Sequence, residues 1–208
     1  MLVDICPSHR KKIYILIFFI LLLQIGNASA QNSSFNHEGV EISEPETSLW
    51  LWVHTKYKKV HVMEEGTELK EFSDAAFGRG GVGKKHKRGD NITPQGVYTI
   101  GWINSKSTFR NFFGLTYPSV QDAENGLKQQ LINENEFQSI VKAHLEKKIP
   151  PQHTALGGLV GIHGLGAPIR RQLKHSLINW TEGCIALTNQ QIDELAAYIK
   201  PGMFVVID

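Results

Sequence analysis

The chain has 208 residues, with 22 lysines and arginines against 20 aspartates and glutamates, so its formal net charge at pH 7 is only +2. This balance argues against a nucleic-acid-binding role driven by net charge, because association with a polyanion requires a marked excess of cations. The length suits one domain that can build a core without disulfides.

Residues 1–30 have the pattern of a secretory signal peptide. A basic cluster at 10–12 precedes the apolar run 13–23, and small residues stand at Ala28 and Ala30. The run is shorter than the roughly 20 apolar residues of a membrane-spanning helix, and an uncleaved anchor is the alternative. We expect cleavage after Ala30 and a location in the periplasm or cell envelope. Membrane contact is then limited to the signal sequence before cleavage.

Cleavage changes both the charge and the cysteine count. It removes three basic residues and one acidic residue, which leaves 19 of each in the mature chain. Cys6 leaves with the signal, so Cys184 becomes the single cysteine in an oxidising compartment, where exposed thiols tend to be paired. The polar segment 31–47 is expected to be flexible. Residues 48–208 are expected to form one folded, monomeric domain.

The first half of this domain predicts mainly strands. Residues 48–64 are rich in aromatic and β-branched residues and predict a strand pair, and 67–77 predicts a third strand. Between Gly78 and Arg88 stand four glycines and five basic residues, which indicate a mobile, solvated hairpin loop. The loop lacks the GxxxxGK[ST] pattern of a phosphate-binding loop. A turn at 94–96 then leads into another strand.

The second half of the domain contains helical patterns. Segment 123–148 has apolar residues at helical spacing and predicts one or two helices, stopped by the prolines at 150–151. Residues 188–191 (TNQQ) have the form of a capping box, which predicts a helix over 189–199.

Three strands complete the second half. The segment ALGGLVGIHG, at 155–164, predicts a strand, and CIAL, at 184–187, predicts a short one. The chain then closes with MFVVI, at 203–207, which predicts a final strand buried on both faces.

Cys184 and His163 form the candidate catalytic pair. A lone cysteine is more often an inert buried residue, but an unpaired thiol in an exported protein is prone to oxidation, so its presence favours a function. A thiol nucleophile requires a base or a cation nearby. Of the histidines, His163 stands at the end of an apolar strand between glycines, which is how a scaffold holds a side chain rigidly. Gly183 indicates close approach, and we expect this to leave room for substrate.

The segments IHGLG and WTEGCIALTN, preceded by ITPQGVY and TALGG, resemble the L,D-transpeptidase catalytic domain, the YkuD-like family. Its signature is HG, a variable gap, then [ST]-x-G-C and an apolar strand. The resemblance covers residues 48–208. It implies a mainly β (α+β) fold, a YkuD-like β-sandwich or curled mixed sheet with an inserted helical segment and a C-terminal helix. It implies no cofactor and no metal.

The resemblance also implies a chemistry. Cys184 would attack a carbonyl in a peptidoglycan stem peptide, at the bond between a diaminopimelate-type residue and the terminal D-alanine. His163 would act as general base and acid, and the carbonyl of Gly164 would orient its ring. The N–H groups of Gly183 and Cys184 would form the oxyanion hole. Transfer of the acyl group to an amine on a second stem peptide would cross-link or remodel the cell wall.

The chain departs from the commonest family pattern beside the cysteine. Glu182 stands where many members have histidine, and Ala186 stands where many have arginine or asparagine. These differences leave the substrate contacts open, and solvated surface charge is the alternative for the basic residues. The candidate substrate-binding residues are Arg170, Arg171, His175, Trp180 and Tyr117. Segment 122–148 is the candidate for the flexible lid found in the family.

Three other functions compete with transpeptidation. An L,D-carboxypeptidase or a hydrolase of peptidoglycan tethers would use the same nucleophile, and we favour transfer because aromatic walls can exclude water. The candidate walls are Trp102, Phe109, Phe112, Phe113, Tyr117 and Trp180. A zinc peptidase would draw on His144, His153, His163 and His175, but no HExxH motif is present. A non-catalytic wall-binding module does not explain the intact pair of Cys184 and His163.

Overall fold

The computed structural model describes residues 35–37, 40–42, 49–175 and 177–208. The predicted signal peptide and most of segment 31–47 lie outside the described residues. Within that segment, strands β1 (Phe35–His37) and β2 (Val40–Ile42) pair antiparallel. Among the helices of the described ranges, none has the length and apolar character needed to cross a membrane.

An eight-stranded mixed sheet carries the domain. After β2 the strands in chain order are β3 (Leu49–His54), β4 (Lys59–Glu64), β5 (Thr67–Phe72), β6 (Val82–Gly83), β7 (Thr93–Pro94), β8 (Gly96–Ser107), β9 (Arg110–Leu115), β10 (Gly161–His163), β11 (Ile185–Ala186) and β12 (Phe204–Ile207). The order across the large sheet is β11-β10-β9-β8-β12-β3-β4-β5, and β6 pairs with β7 separately. The last strand, β12, therefore lies inside the sheet, parallel to β3 and antiparallel to β8.

Four helices accompany the sheet in the described part of the chain. They are α1 (Val120–Lys128), α2 (Glu134–Leu145), α3 (Ile169–His175) and α4 (Asn189–Leu195). The predicted fold class is confirmed: the domain is mainly β, with a helical insertion and a helix near the C-terminus. The insertion contains two helices. Helix α3 is not among the predicted elements, because its short sequence IRRQLKH is dominated by basic residues.

The core lies where the helices pack on the sheet. Fully buried side chains come from the sheet, as with Leu51 and Phe113, and from the helices, as with Ile140 on α2 and Ile192 on α4. The sequence of β12 is a continuous apolar run, which predicts a buried strand. Its last three residues are all buried, as predicted.

Two strand predictions were too long. The predicted strand over 67–77 ends at Phe72, because Asp74 adopts left-handed backbone with φ of 60°. The strand predicted over 155–164 is reduced to β10. Gly157 and Leu159 have φ of 107° and 55°, which is incompatible with an extended strand. The second interruption lies at the candidate site, because Gly157 and Leu159 line the same cleft as Cys184.

Helix α4 begins with the predicted capping box but ends at Leu195, four residues before the predicted end. The hydroxyl of Thr188 accepts a hydrogen bond from the Gln191 amide at 3.2 Å, and the Thr188 amide donates to Oε1 of Gln191 at 2.9 Å. The cap matters for the site because Asn189, the first residue of the helix, contacts the chain after His163.

We expect Thr188→Ala to lower the free energy of unfolding by about 1 kcal/mol, because the helix loses a side-chain acceptor for its first amides. Urea unfolding followed by circular dichroism measures the change. Thr188→Ser retains the hydroxyl and is the matched control. Equal stability of the alanine and serine variants would show that the cap does not stabilise α4.

Candidate active site

Parallel pairing of β10 and β11 brings His163 and Cys184 to one place. Ile162 lies opposite Ile185 and His163 opposite Ala186. Cys184 directly precedes β11, two residues from Ala186, so its side chain is placed on the same face of the sheet as that of His163. Both residues line one cleft with a volume of about 860 Å³.

His163 is buried in a fixed orientation. Its ring is 2% exposed, and its Nδ1 lies 2.6 Å from the carbonyl oxygen of Gly164. Because a carbonyl only accepts, Nδ1 must carry the proton and donate, which leaves Nε2 as a proton acceptor. The rings of Phe109 and Phe112 lie 4.4 and 6.0 Å from the imidazole.

Burial lowers the pKa of His163 to about 4, and this effect outweighs the hydrogen bond to Gly164, which acts in the opposite direction. The positive charge of Arg171 lowers the pKa further. The imidazole is therefore neutral near pH 7 and available as a base.

Cys184 is half-buried, and its sulfur lies 3.5 Å from the carbonyl oxygen of Leu159. Burial raises the pKa of the thiol to about 11, although a hydrogen bond from the Gly161 amide favours the thiolate. At neutral pH both members of the pair are thus uncharged at rest. Attack by the sulfur must be accompanied by transfer of its proton.

The turn before Cys184 is held by the protein's own backbone. The hydroxyl of Thr181 donates to the carbonyl of Cys184 at 2.6 Å and accepts from the Gly183 amide at 3.2 Å. Gly183 has φ of 127°, and a Cβ at this position would lie 2.8 Å from the carbonyl oxygen of Ile92. Glycine is thus required here by the approach of the Ile92 backbone, which confirms the predicted close approach, and room for a substrate at this position stays a prediction.

Two of the five candidate substrate contacts line the cleft, Arg171 and Trp180. The guanidinium of Arg171 donates to the carbonyl of Leu165 at 3.1 Å and lies 4.3 Å from the centre of the Phe109 ring. Trp180 meets the ring of His163 edge-on at 6.0 Å. Both side chains are therefore placed where a bound peptide can reach them.

The other three candidates lie outside the cleft lining. Tyr117 is fully buried in the core, where its hydroxyl donates to the carbonyl of Leu156 at 3.1 Å and burial raises its pKa. His175 is buried at the end of α3, and Arg170 is exposed on the same helix. Because they are buried, we do not retain Tyr117 and His175 as substrate contacts, whereas contact by Arg170 stays a prediction.

The aromatic walls of the cleft come mainly from β8 and β9. Trp102, Phe109, Phe112 and Trp180 line it, whereas Phe113 is a core residue. The ring of Trp102 lies flat on Gly114, where a Cβ would approach the ring to 2.1 Å. Four of the six predicted wall residues are therefore in place.

The helical insertion does not line the cleft: no residue of 122–148 is part of its walls. Ala123 of α1 and Ile140 of α2 are fully buried, and Nε2 of His144 lies 2.8 Å from the carbonyl oxygen of Pro118. The insertion is packed against the core in this structure, and its role as a lid stays a prediction.

Two functional residues were missed in the sequence. Asn189 accepts hydrogen bonds from the amides of Leu165 and Gly166, both at 2.9 Å, and donates to the carbonyl of Gly166 at 2.9 Å. It thereby fixes the segment that follows His163. The second is Lys85, in the glycine-rich loop predicted to be solvated: its side chain is only 3% exposed, it lines the cleft and it pairs with Asp90.

Potential metal ligands cluster elsewhere. Among the described residues, one group of three could hold an ion: His61, Glu68 and Glu71. The ammonium of Lys59 lies 2.7 Å from Oε2 of Glu71, so a cation already occupies part of this group. The four histidines considered for a zinc peptidase are not members of it.

The family profile of the L,D-transpeptidase catalytic domain matches residues 48–207. The chain belongs to this family. The resemblance inferred from the HG and GC motifs is thereby confirmed. A search of curated proteins found no match.

Solved structures show the same fold. Pgp2 of Campylobacter jejuni, described as a helical cell shape determining protein, is 22% identical, with a TM-score of 0.50. A point variant of Pgp2 gives a TM-score of 0.52, and each match covers 77% of this chain and 47% of the other. An L,D-transpeptidase from Mycobacterium smegmatis is 14% identical, with a TM-score of 0.44, over 84% of this chain and 65% of that one. The L,D-transpeptidase domain therefore spans about half the length of Pgp2.

The neutral resting pair predicts the pH dependence of Cys184 alkylation. Because the folded thiol has a pKa of about 11, its thiolate fraction rises about tenfold per pH unit through the neutral range. Alkylation by iodoacetamide, followed by intact mass, should rise in the same proportion from pH 6 to 9. A rate that is constant over this range would reveal a thiolate–imidazolium pair at rest.

Proposed function

We propose that this protein is a cysteine-dependent L,D-transpeptidase that acts on peptidoglycan stem peptides. The supporting observation is the hydrogen bond from His163 to the Gly164 carbonyl, which leaves a neutral basic nitrogen on the same sheet face as the only thiol of the domain. The cleft also offers aromatic walls and the cation of Arg171, which suit a peptide that carries carboxylates.

The first half-reaction forms a thioester. Nε2 of His163 takes the proton of the Cys184 thiol as the sulfur attacks the carbonyl carbon of a diaminopimelate-type residue. The tetrahedral intermediate then collapses, the C–N bond to the terminal D-alanine breaks, and His163 returns the proton to the leaving amine. D-alanine departs and the acyl group remains on the sulfur.

The oxyanion of the intermediate needs donors close to Cys184. The amides of Cys184 and Gly183 are the proposed donors. The Gly183 amide already donates to the Thr181 hydroxyl at 3.2 Å, so its participation requires exchange of a long hydrogen bond for one to a charged oxygen.

The second half-reaction transfers the acyl group to an amine. A neutral amine from a second stem peptide attacks the thioester carbonyl, His163 accepts its proton, and the sulfur leaves and regains a proton. Water in place of the amine would give a carboxypeptidase or a tether hydrolase. An amine held between Trp102 and Trp180 gains effective molarity over water, and this supports transfer.

The proposed setting is the cell envelope, reached by export of the chain with the predicted signal 1–30. The product cross-links or remodels peptidoglycan. Because Pgp2, a neighbour in fold, is described as a cell shape determining protein, we propose that such remodelling here affects cell shape. Neither half-reaction as written requires a metal or a cofactor.

Incubation with purified tetrapeptide muropeptides tests the proposal, with products followed by mass spectrometry. We expect cross-linked dimers, or exchange of the terminal D-alanine for an added D-amino acid. Tripeptides alone, even with excess amine acceptor, would identify a hydrolase. No product at all would favour a non-catalytic wall-binding module.

Two variants test whether these products depend on Cys184 and His163. Cys184→Ala should form neither dimers nor tripeptides, because no thioester can form. His163→Asn should retain the fold and slow the reaction by about 10²-fold or more, as for loss of a catalytic base. Full activity in either variant would contradict the assignment.

A further inference from the structure

The ammonium of Lys85 lies beside the turn that carries Cys184. Its Nζ is 3.8 Å from the point where a Cβ on Gly183 would stand, and its Cε is 3.1 Å from the equivalent point on Gly157. Both glycines have positive φ, of 127° and 107°. At Gly157 a side chain would crowd the end of Lys85, whereas the distance at Gly183 is an ordinary van der Waals contact.

Asp90 holds this ammonium in place. It forms an ion pair with Lys85, and its carboxylate also accepts hydrogen bonds from the amides of His86, Lys87 and Ile92 at 2.8, 3.0 and 3.1 Å. Burial raises the pKa of Asp90, but these hydrogen bonds, that from Lys85 first, overcome it and keep the pKa below its usual value. The pair is therefore charged and fixed.

The glycine-rich loop is also attached to the far side of the cleft. The amide of Arg88 donates to the carbonyl of Ala155 at 2.9 Å, just before the segment that contains Gly157. The loop that carries Lys85 is thus anchored to the opposite side of the cleft. The ion pair with Asp90 holds the ammonium group itself in one position.

The location of Lys85 makes its charge effective at the sulfur. The side chain is 3% exposed, and a charge in such a site is screened much less than one in water. The charges that act most on the Cys184 thiol are Lys85, which favours the thiolate, and Glu182, which opposes it. The Glu182 side chain is 80% exposed, so water weakens its effect.

We propose that Lys85, held by Asp90, is a positioning cation that stabilises negative charge on the Cys184 sulfur during acylation. The proposal rests on the proposed function only in taking Cys184 as the nucleophile. It explains why a buried ion pair lies in the cleft, where it has a desolvation cost. It also gives Gly157 a role, because a side chain at this position would crowd the end of Lys85.

A competing role for Lys85 is to bind a carboxylate of the substrate. Its low exposure and its engagement with Asp90 leave little of the ammonium accessible to a peptide. Arg171 also lines the cleft, is more exposed than Lys85 and is a better candidate for that contact.

The test compares the pH profile of Cys184 alkylation by iodoacetamide in the intact protein and in Lys85→Gln, which is neutral and still donates to Asp90. We expect the variant to react about tenfold more slowly at each pH below the thiol pKa. This corresponds to a shift of its rate profile by about one unit toward higher pH. Lys84→Gln, which removes a neighbouring exposed charge, is the matched control and should not change the profile. Lys85→Arg should retain most of the reactivity.

Superimposed profiles for the native protein and Lys85→Gln would overturn the proposal. If that variant also showed a raised KM for stem peptide, Lys85 would be a carboxylate contact instead. Circular dichroism checks the fold of each variant, and Lys85→Met repeats the measurement if glutamine prevents folding. Because iodoacetamide needs no stem peptide, this result is independent of whether the enzyme transfers or hydrolyses.

Discussion

The hydrogen bond from Nδ1 of His163 to the carbonyl of Gly164 is the interaction on which the site depends. It fixes the tautomer of a buried imidazole, with the proton on Nδ1, and leaves the other nitrogen as a base. The carbonyl can act in this way only if the segment after His163 is rigid. Asn189 supplies that rigidity, and Asn189 is placed by the capped start of α4. The proposed chemistry therefore relies on a helix N-terminus whose first residue, Asn189, does not line the cleft.

The fold contributes a parallel pairing of two very short strands at one edge of the sheet. Because β10 and β11 run side by side, residues 21 positions apart in sequence come to the same face with little tolerance in register. The other strands of the sheet, with β12 in its interior, support that edge. The loop that carries Lys85 and Asp90 adds a buried ion pair to the site.

Local patterns in the sequence predicted the parts of the fold that local forces determine. The capping box at 188–191 and the apolar run of β12 each indicate their structure within a few residues, whereas the pairing of HG with GC was inferred from the family resemblance. Helix α3, the early end of β5 and the late start of β10 depend on tertiary contacts and on left-handed residues such as Asp74 and Leu159, which carry no glycine signal. Lys85 was missed because burial of a lysine depends on an acidic partner, Asp90, and on space left by distant glycines. Tyr117 and His175 were misplaced because exposure is decided by packing.

The most direct measurement of the central claim is the ¹⁵N NMR spectrum of the His163 ring in labelled protein, assigned by its loss in His163→Asn. The account predicts a neutral ring from pH 7 down to about pH 5, with the proton on Nδ1, because burial lowers the pKa to about 4. A protonated ring at pH 6, or a neutral ring with its proton on Nε2, would contradict it. Either result would mean that the nitrogen facing the cleft is not a base.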